Sequence, residues 1–184
     1  MDEAMWAFGR ATGVVALVLL TLSVLLGIST RSGRPLPGLP RFSVALVHRN
    51  VSLMASVFVG LHVGSLMLDS FAQLSLVDLV VPFLGSFRPF WQGLGTVAVD
   101  LLIAVIATSL LRQRIGARTF RALHWLVYAM WPIALTHAIG NGTDGTSGWF
   151  LALAAASFTA VAAALGWRVS SRFVESARLR QGVR

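Results

Sequence analysis

Four histidines are the residues of this sequence best suited to chemistry, because each lies within a long apolar run. His48 and His62 share one run, and His124 and His137 share another. An ionisable side chain inside a membrane-length apolar run is costly and is functional by default. Imidazole binds metals, relays protons or forms hydrogen bonds within a core.

The two histidines of each run are separated by nearly the same distance. His48 and His62 are 14 residues apart, and His124 and His137 are 13 apart. On a helix these separations correspond to about 21 Å and about 19.5 Å of rise. Fourteen residues fall about 40° short of whole turns, so His48 and His62 face the same side, one near each leaflet. The two helices therefore offer histidines at two matching depths.

Neutral imidazole is a standard ligand of haem iron, and two haems would use all four histidines. The two helices are predicted to run in the same direction, so the pairing follows chain order. His48 then faces His124 near the cytoplasm, and His62 faces His137 near the outer surface. The pattern predicts two b-type haems stacked across the membrane, since a chain without cysteine excludes the attachment of c-type haem.

The second helix does not present its histidines in line if it is straight. Thirteen residues rotate His137 about 140° away from His124, so this helix must tilt or be distorted between them. Pro132 lies in that interval and interrupts the regular hydrogen-bond ladder. We expect a locally tightened turn at Trp131-Pro132.

Two other uses of the histidines stay open. They could be core residues bonded to backbone or hydroxyl groups, in a haem-free membrane scaffold or a transporter that uses them for protons or substrate. Zinc is disfavoured, because its ligands must converge within about 2 Å of one ion. Each histidine pair on a helix is instead spread over most of the bilayer.

The elements that position the histidines are predicted to be membrane helices. The sequence is 56% hydrophobic and 12% charged, with a mean hydropathy of +0.76, which excludes an ordinary soluble globule. A bilayer core takes about 20 helical residues. The predicted fold class is all-α, a bundle of five transmembrane helices at residues 7–28, 43–68, 95–111, 120–139 and 149–167.

The arginines predict the orientation of this bundle. All 15 basic residues are arginines, and most follow the first, third and fifth runs, as in cytoplasmic loops. The N-terminus is therefore predicted outside and the C-terminus in the cytoplasm, in an integral protein of a bacterial cytoplasmic membrane. Residues 1–168 form the membrane domain, and residues 169–184 form a basic tail expected to lie on the anionic inner leaflet.

Two connections between the spans carry further predictions. Residues 29–41 contain Pro35, Pro37 and Pro40, which predicts a turn-rich linker without a helix. Residues 69–93 are too apolar for a wetted loop, yet their charges and proline make them a poor span. We expect an interfacial helix there, followed by an aromatic stretch on the outer face.

With these residues in view, the chain resembles the ferric reductase-like transmembrane domain, the haem-bearing membrane part of NADPH oxidases and ferric reductases. That family carries His-x13-His on one helix and His-x12-His on the helix after next, which is the spacing found here. The resemblance covers about residues 10–167 and includes short actinobacterial members. It implies electron transfer through two b-type haems to an external acceptor, such as oxygen, a ferric chelate or a protein.

The resemblance also implies a cofactor contact and a partner. In the oxidases, an arginine in the helix before the first histidine pair approaches the propionates of the outer haem, and Arg10 occupies that place. The oxidases have a further first span and a fused flavin and NADPH domain, for which we expect no room after Trp167. Electrons are therefore expected from a separate cytoplasmic flavin reductase or from a membrane quinol. The alternative is a quinol-linked haem b subunit that supplies an extracytoplasmic oxidoreductase.

Four further residues are candidates for the site. Arg88 and Trp91 are expected either to cover the edge of the outer haem or to join an aromatic belt. Arg49 reaches either the propionates of the inner haem or lipid headgroups. Asp100 lies inside the third span, where a lone carboxylate is expensive. It is expected to pair with Arg10 or Arg88, or to deliver protons near the outer haem.

Overall fold

The computed structural model describes residues 2–32, 40–69, 74–171 and 173. Most of the predicted linker at 29–41 and most of the predicted basic tail at 169–184 lie outside these residues. The described chain contains six α-helices and no β-strand. They are α1 (Asp2–Ser32), α2 (Arg41–Met67), α3 (Pro89–Leu110), α4 (Arg112–His124), α5 (Val127–Asn141) and α6 (Gly148–Val169).

Most of these helices have the length and composition of membrane spans. α1, α2, α3 and α6 are each long and apolar enough to cross a bilayer, and α4 with α5 forms a pair bent by 45° that counts as one broken span. The described residues therefore hold four candidate spans, or five with the bent pair. This confirms the predicted all-α membrane bundle, and the protein is an integral membrane protein.

The fourth predicted span is broken directly after its first histidine. α4 ends at His124, Trp125 and Leu126 form a turn, and α5 begins at Val127. The backbone N–H groups of Trp125 and Leu126 donate to carbonyls three residues earlier. Such bonds wind the chain more tightly than an α-helix does. The predicted distortion between the histidines of this span is therefore present.

Its predicted position at Trp131-Pro132 is wrong, because α5 runs through Pro132. Trp131 is only 3% exposed, and its indole Nε1–H donates to Thr21 Oγ1 of α1 at 3.0 Å. This buried contact anchors α5 to α1 next to a proline that lacks one backbone donor. The chain bends instead at Trp125, which is 54% exposed.

The predicted interfacial helix within residues 69–93 is wrong for the part that the structure describes. Residues 74–88 form successive turns, and α3 begins only at Pro89. Phe83 and Arg88 have positive φ angles of 69° and 43°, which a right-handed helix cannot contain. The stretch keeps an apolar surface, since its exposed side chains include Leu76, Val77, Val80, Val81, Leu84 and Phe87.

Hydrogen bonds to Asp78 hold residues 74–88 together and connect them to α3. The backbone N–H and hydroxyl of Ser75 donate to Asp78 Oδ2 at 2.9 and 2.7 Å. The hydroxyl of Thr96 donates to the Asp78 carbonyl at 2.7 Å. The bonds from Ser75, first from its side chain and then from its backbone, stabilise the ionised carboxylate and lower the pKa of Asp78.

α1 is the central helix of the bundle. It packs along α2 and also contacts α5 and α6, whereas α3 packs along α5. The buried face of α1 carries Leu17, Leu20, Val24 and Ile28, which join residues of α5 and α6 in one core cluster. α2 packs mainly on α1, whereas α4 and α5 pack mainly on α3, so the two histidine-bearing spans belong to different parts of the bundle.

Candidate functional site

The structure brings the four histidines together in two pairs, in chain order. The ring centres of His48 and His124 are 6.4 Å apart at an interplanar angle of 87°. Those of His62 and His137 are also 6.4 Å apart, at 76°. In keeping with the predicted membrane orientation, we call His62 and His137 the outer pair and His48 and His124 the inner pair.

Both rings of the outer pair are oriented by backbone carbonyls. His62 Nδ1 lies 2.8 Å from the carbonyl oxygen of Gly9, and His137 Nδ1 lies 2.8 Å from that of Trp91. A carbonyl oxygen can only accept a hydrogen bond, so each Nδ1 carries the proton and donates it. Nε2 of each ring is therefore left as the metal-binding nitrogen, as in sites where an outer partner fixes the tautomer.

Glycines provide the space for both outer rings. A Cβ at Gly13 would lie 2.9 Å from the ring of His62, and a Cβ at Gly95 would lie 2.6 Å from that of His137. Real side chains do not approach so closely, so any larger residue would displace the ring. The two rings are therefore seated directly on the backbones of α1 and α3.

The end of α5 that carries His137 is clamped to the start of α3. The ring of Trp91 packs directly on Gly140, where there is no room for a Cβ. Arg88 Nη1 donates to the carbonyl oxygen of Gly140 at 3.0 Å. Arg88 and Trp91, both predicted as site residues, thus hold together the two helices beside the outer pair.

The inner pair has different surroundings. A Cβ at Gly27 would lie 3.2 Å from the ring of His48, whereas His124 packs on Phe120, with ring centres 5.2 Å apart. Both Nδ1 atoms are buried and have no hydrogen-bond partner in the described chain. The backbone of Ser23 lies near His48, but outside normal hydrogen-bond geometry.

Two arginines place positive charge near the inner pair. Arg31 and Arg168 both act electrostatically on His124. The guanidinium of Arg168 lies 4.5 Å above the ring centre of Trp125 and donates to the hydroxyl of Tyr128. The sequence analysis used these two arginines only to predict the membrane topology and did not place them at the site.

A cavity of about 630 Å³ lies at the outer pair, with His62 and His137 in its walls. Its size falls within the ~300–1,000 Å³ typical of ligand and cofactor sites. Apolar residues line most of it, among them Leu17, Leu20, Val59, Leu102, Met130 and Phe150. Polar residues also line it, namely Glu3, Arg10, Asp69, Arg88, Gln92, Thr96, Asn141, Thr143 and Asp144. Neither histidine of the inner pair belongs to its lining.

Arg10 lies in the lining of this cavity, and its predicted contact with a haem propionate stays a prediction. Its Nε is 2.9 Å from Asp144 Oδ2, and its guanidinium lies 4.5 Å above the ring of Trp6. The expected ion pair of Asp100 with Arg10 or Arg88 is not formed in the described chain. Asp100 is instead exposed on α3, while Arg10 pairs with Asp144 and Arg88 donates to a backbone carbonyl.

Arg49 is exposed near the start of α2, and its predicted contact to propionates or headgroups stays a prediction.

The sequence analysis did not identify the glycines that lie beside the histidine rings. A signal for them exists, because Gly13 and Gly27 are 14 residues apart, as are His48 and His62. Two antiparallel helices with equal spacings keep each glycine opposite a histidine.

These features define a class of protein: a helical membrane bundle with two histidine pairs stacked between its helices. Within that class, the family model described as ferric reductase like transmembrane component matches residues 12–135. The chain belongs to this family. The matched region contains His48, His62 and His124 and ends just before His137. Domains of this family generally bind haem and pair with cytoplasmic reductase domains or partners, which indicates transmembrane electron transfer in general terms.

Neither the curated proteins nor the solved structures gave a match to this chain.

Proposed function

We propose that this protein carries electrons across the membrane through two b-type haems, each held by one histidine pair. The observation that carries the proposal is the 6.4 Å between ring centres in both pairs. A metal–imidazole bond is about 2 Å long and the ring centre lies about 1 Å beyond the nitrogen, so one iron separates two ring centres by about 6 Å. The same separation at two levels favours two equivalent metal positions over unrelated core histidines.

The outer pair fits a haem in three further respects. It opens into a cavity of suitable size, its Nδ1 atoms are engaged so that Nε2 is available, and glycines let its rings pack directly on the backbones of α1 and α3. Arg10 and Arg88 line the same cavity. They supply the positive groups that the two carboxylates of a haem require.

The inner pair fits through its spacing and its charges. Its rings are buried at the same separation as those of the outer pair, and His48 also faces a glycine. Arg31 and Arg168 place positive charge beside His124. We infer that these two arginines, with Arg49 at the surface, compensate the carboxylates of the inner haem.

The chain's own residues set how electrons pass. When bound, haem supplies reversible one-electron chemistry between ferric and ferrous iron. Two histidines would hold each haem and would leave no position on its iron for an external ligand such as oxygen, so an acceptor would take electrons at the haem edge. The donor is proposed to be a separate cytoplasmic flavin reductase, and the acceptor an extracytoplasmic oxygen, ferric chelate or protein. Asp100 lies within the span formed by α3, and its exposed carboxylate has no ion-pair partner in the described chain. We propose that Asp100 delivers protons.

A reduced-minus-oxidised optical spectrum of the purified protein, with a haem-to-protein ratio, tests this function. We expect about two b-type haems per chain, and about one in either His62→Ala or His48→Ala. Gly60→Ala is the matched control, because nothing lies within 4 Å of a Cβ at that position of α2. A wild-type protein that takes up no haem would instead favour a haem-free scaffold or transporter.

The donor is tested on the same preparation. Reduction of both haems by NADPH and a cytoplasmic flavin reductase, without a lipid-soluble reductant, supports the proposed direction of transfer. Reduction by a quinol analogue alone would replace the flavin reductase by a membrane quinol and make the protein a quinol-linked subunit.

A further inference from the structure

Arg10 is held from two sides at the wall of the outer cavity. Asp144 Oδ2 contacts its Nε at 2.9 Å, and the ring of Trp6 lies 4.5 Å below its guanidinium. Trp6 and Arg10 are one helical turn apart on α1, whereas Asp144 lies in the turn between α5 and α6. The contact thus connects α1 to the element that follows His137.

The turn that carries Asp144 is built to hold this residue in place. The backbone N–H and the hydroxyl of Ser147 donate to the Asp144 carbonyl at 2.8 and 2.7 Å. Gly145 N–H donates to the carbonyl of Gly142 at 3.0 Å. Gly145 is buried and a Cβ there would collide with the carbonyl of Ile139. These contacts fix the backbone from which the carboxylate of Asp144 reaches Arg10.

The side on which Asp144 approaches decides what Arg10 can still bind. A guanidinium has five N–H donors in a rigid planar fork. A carboxylate at Nε approaches that fork from the side, so at least one terminal nitrogen keeps its donors. Arg10 and Asp144 also line a second crevice of about 370 Å³, together with Trp6 and Trp149, so the pair lies in the wall between the crevice and the cavity.

We propose that Asp144 is a positioning residue, which fixes Arg10 so that its terminal N–H groups bind a carboxylate of the molecule in the outer cavity. Trp6 supports the face of the guanidinium through a cation–π contact. The inference rests on the proposed function for the identity of that carboxylate, a propionate of the outer haem. In this role Asp144 acts through Arg10.

The test measures the time course of haem transfer from the protein to an excess of apomyoglobin. The kinetic phase that is missing in His62→Ala is assigned to haem loss from the outer site. Asp144→Asn and Arg10→Ala are each expected to accelerate this phase several-fold. The double variant is expected to be no faster than Arg10→Ala alone, because Asp144 has no effect once its arginine is gone. Asp144→Glu is expected to restore part of the wild-type rate.

Glu3→Gln is the matched control, since Glu3 also lines the outer cavity and carries the same charge. We expect Glu3→Gln to accelerate the outer phase far less than Asp144→Asn does, because Glu3 forms no ion pair with Arg10 in the described chain. An equal acceleration in Glu3→Gln would show a general charge effect and overturn the proposal. Additive effects in the double variant would do the same, by indicating that Asp144 acts on the fold independently of Arg10. A wild-type protein without haem would refute the proposed function instead, so the two failures are distinguishable.

Discussion

The outer and inner histidine pairs have the same ring separation but are held in different ways. In the outer pair, both Nδ1 atoms donate to backbone carbonyls and both rings lie on glycines. In the inner pair, neither Nδ1 has a partner in the described chain, and only His48 faces a glycine. Helix packing sets the distance between two rings, whereas neighbouring groups set the rotation and the proton of each ring.

This difference makes the outer pair the better preorganised site. A hydrogen-bonded ring has its tautomer and rotation fixed before a ligand arrives, which lowers the entropic cost of binding. A buried Nδ1 without an acceptor costs about 1–3 kcal/mol. His124 also lies at the break between α4 and α5, where the helical ladder ends. We therefore expect the outer haem to be bound more tightly than the inner one.

The largest effect is expected from a side chain placed under an outer ring. Gly95→Ala adds a Cβ 2.6 Å from the ring of His137, so the ring must move away from its metal-binding position. Overpacking of this kind costs about 1–3 kcal/mol, equivalent to about a 5- to 150-fold loss of affinity. The haem-to-protein ratio is expected to fall toward that of His62→Ala.

Gly64→Ala separates this effect from helix propensity. A Cβ at Gly64 of α2 meets nothing within 4 Å, so this variant gains only the higher helix propensity of alanine, about 1 kcal/mol. It should keep its full haem content. If Gly95→Ala also kept two haems at wild-type affinity, the glycine would not be a seat for the ring.

A smaller effect is expected at the inner pair from the equivalent change. Gly27→Ala places its Cβ 3.2 Å from the ring of His48, against 2.9 Å for Gly13→Ala at His62. The inner ring has no Nδ1 hydrogen bond to break when it shifts by a few tenths of an ångström. Haem loss from each site, measured as transfer to apomyoglobin, should increase more in Gly13→Ala than in Gly27→Ala. Equal increases would show that the two rings are held with equal stiffness.

The parts of the fold that follow from periodicity could be predicted from the sequence. The five apolar runs match four helices and one bent pair, because a membrane span needs a minimum apolar length that is visible locally. The pairing of the histidines in chain order also followed from their spacing and from parallel spans. Each of these predictions uses separations along one helix, which the sequence states directly.

The remaining features depend on contacts between distant segments. The bend lies at Trp125, whereas Trp131 is anchored to Thr21 by a hydrogen bond across 110 residues. Arg10 pairs with Asp144 because the α5–α6 turn reaches the start of α1. The stretch 74–88 is apolar, yet hydrogen bonds to Asp78 and two positive φ angles prevent a helix. Composition alone indicates none of these partners.

The smallest effect that should distinguish the outer from the inner site is expected at low pH, because Asp78 stabilises a segment that covers only the outer cavity. Leu74, Leu79 and Phe87 of this segment line that cavity, and the hydrogen bonds from Ser75 lower the pKa of Asp78. A carboxyl with a lowered folded pKa stabilises the fold fully above its unfolded pKa of about 3.9. That contribution is lost as the pH falls through the folded pKa.

Acidification below about pH 4 is therefore expected to accelerate haem loss from the outer site more than from the inner one. Protonation of the histidines weakens both sites, so the informative quantity is the ratio of the two rates. In Asp78→Asn, this ratio should depend less on pH, because the ionisable group is gone and its bond to Ser75 is weaker at every pH. Thr96→Val is the companion variant, since it removes the bond to the Asp78 carbonyl without changing any charge. An unchanged pH dependence of the ratio in Asp78→Asn would show that the segment does not retain the outer haem, and the two sites would then differ only in the way their rings are held.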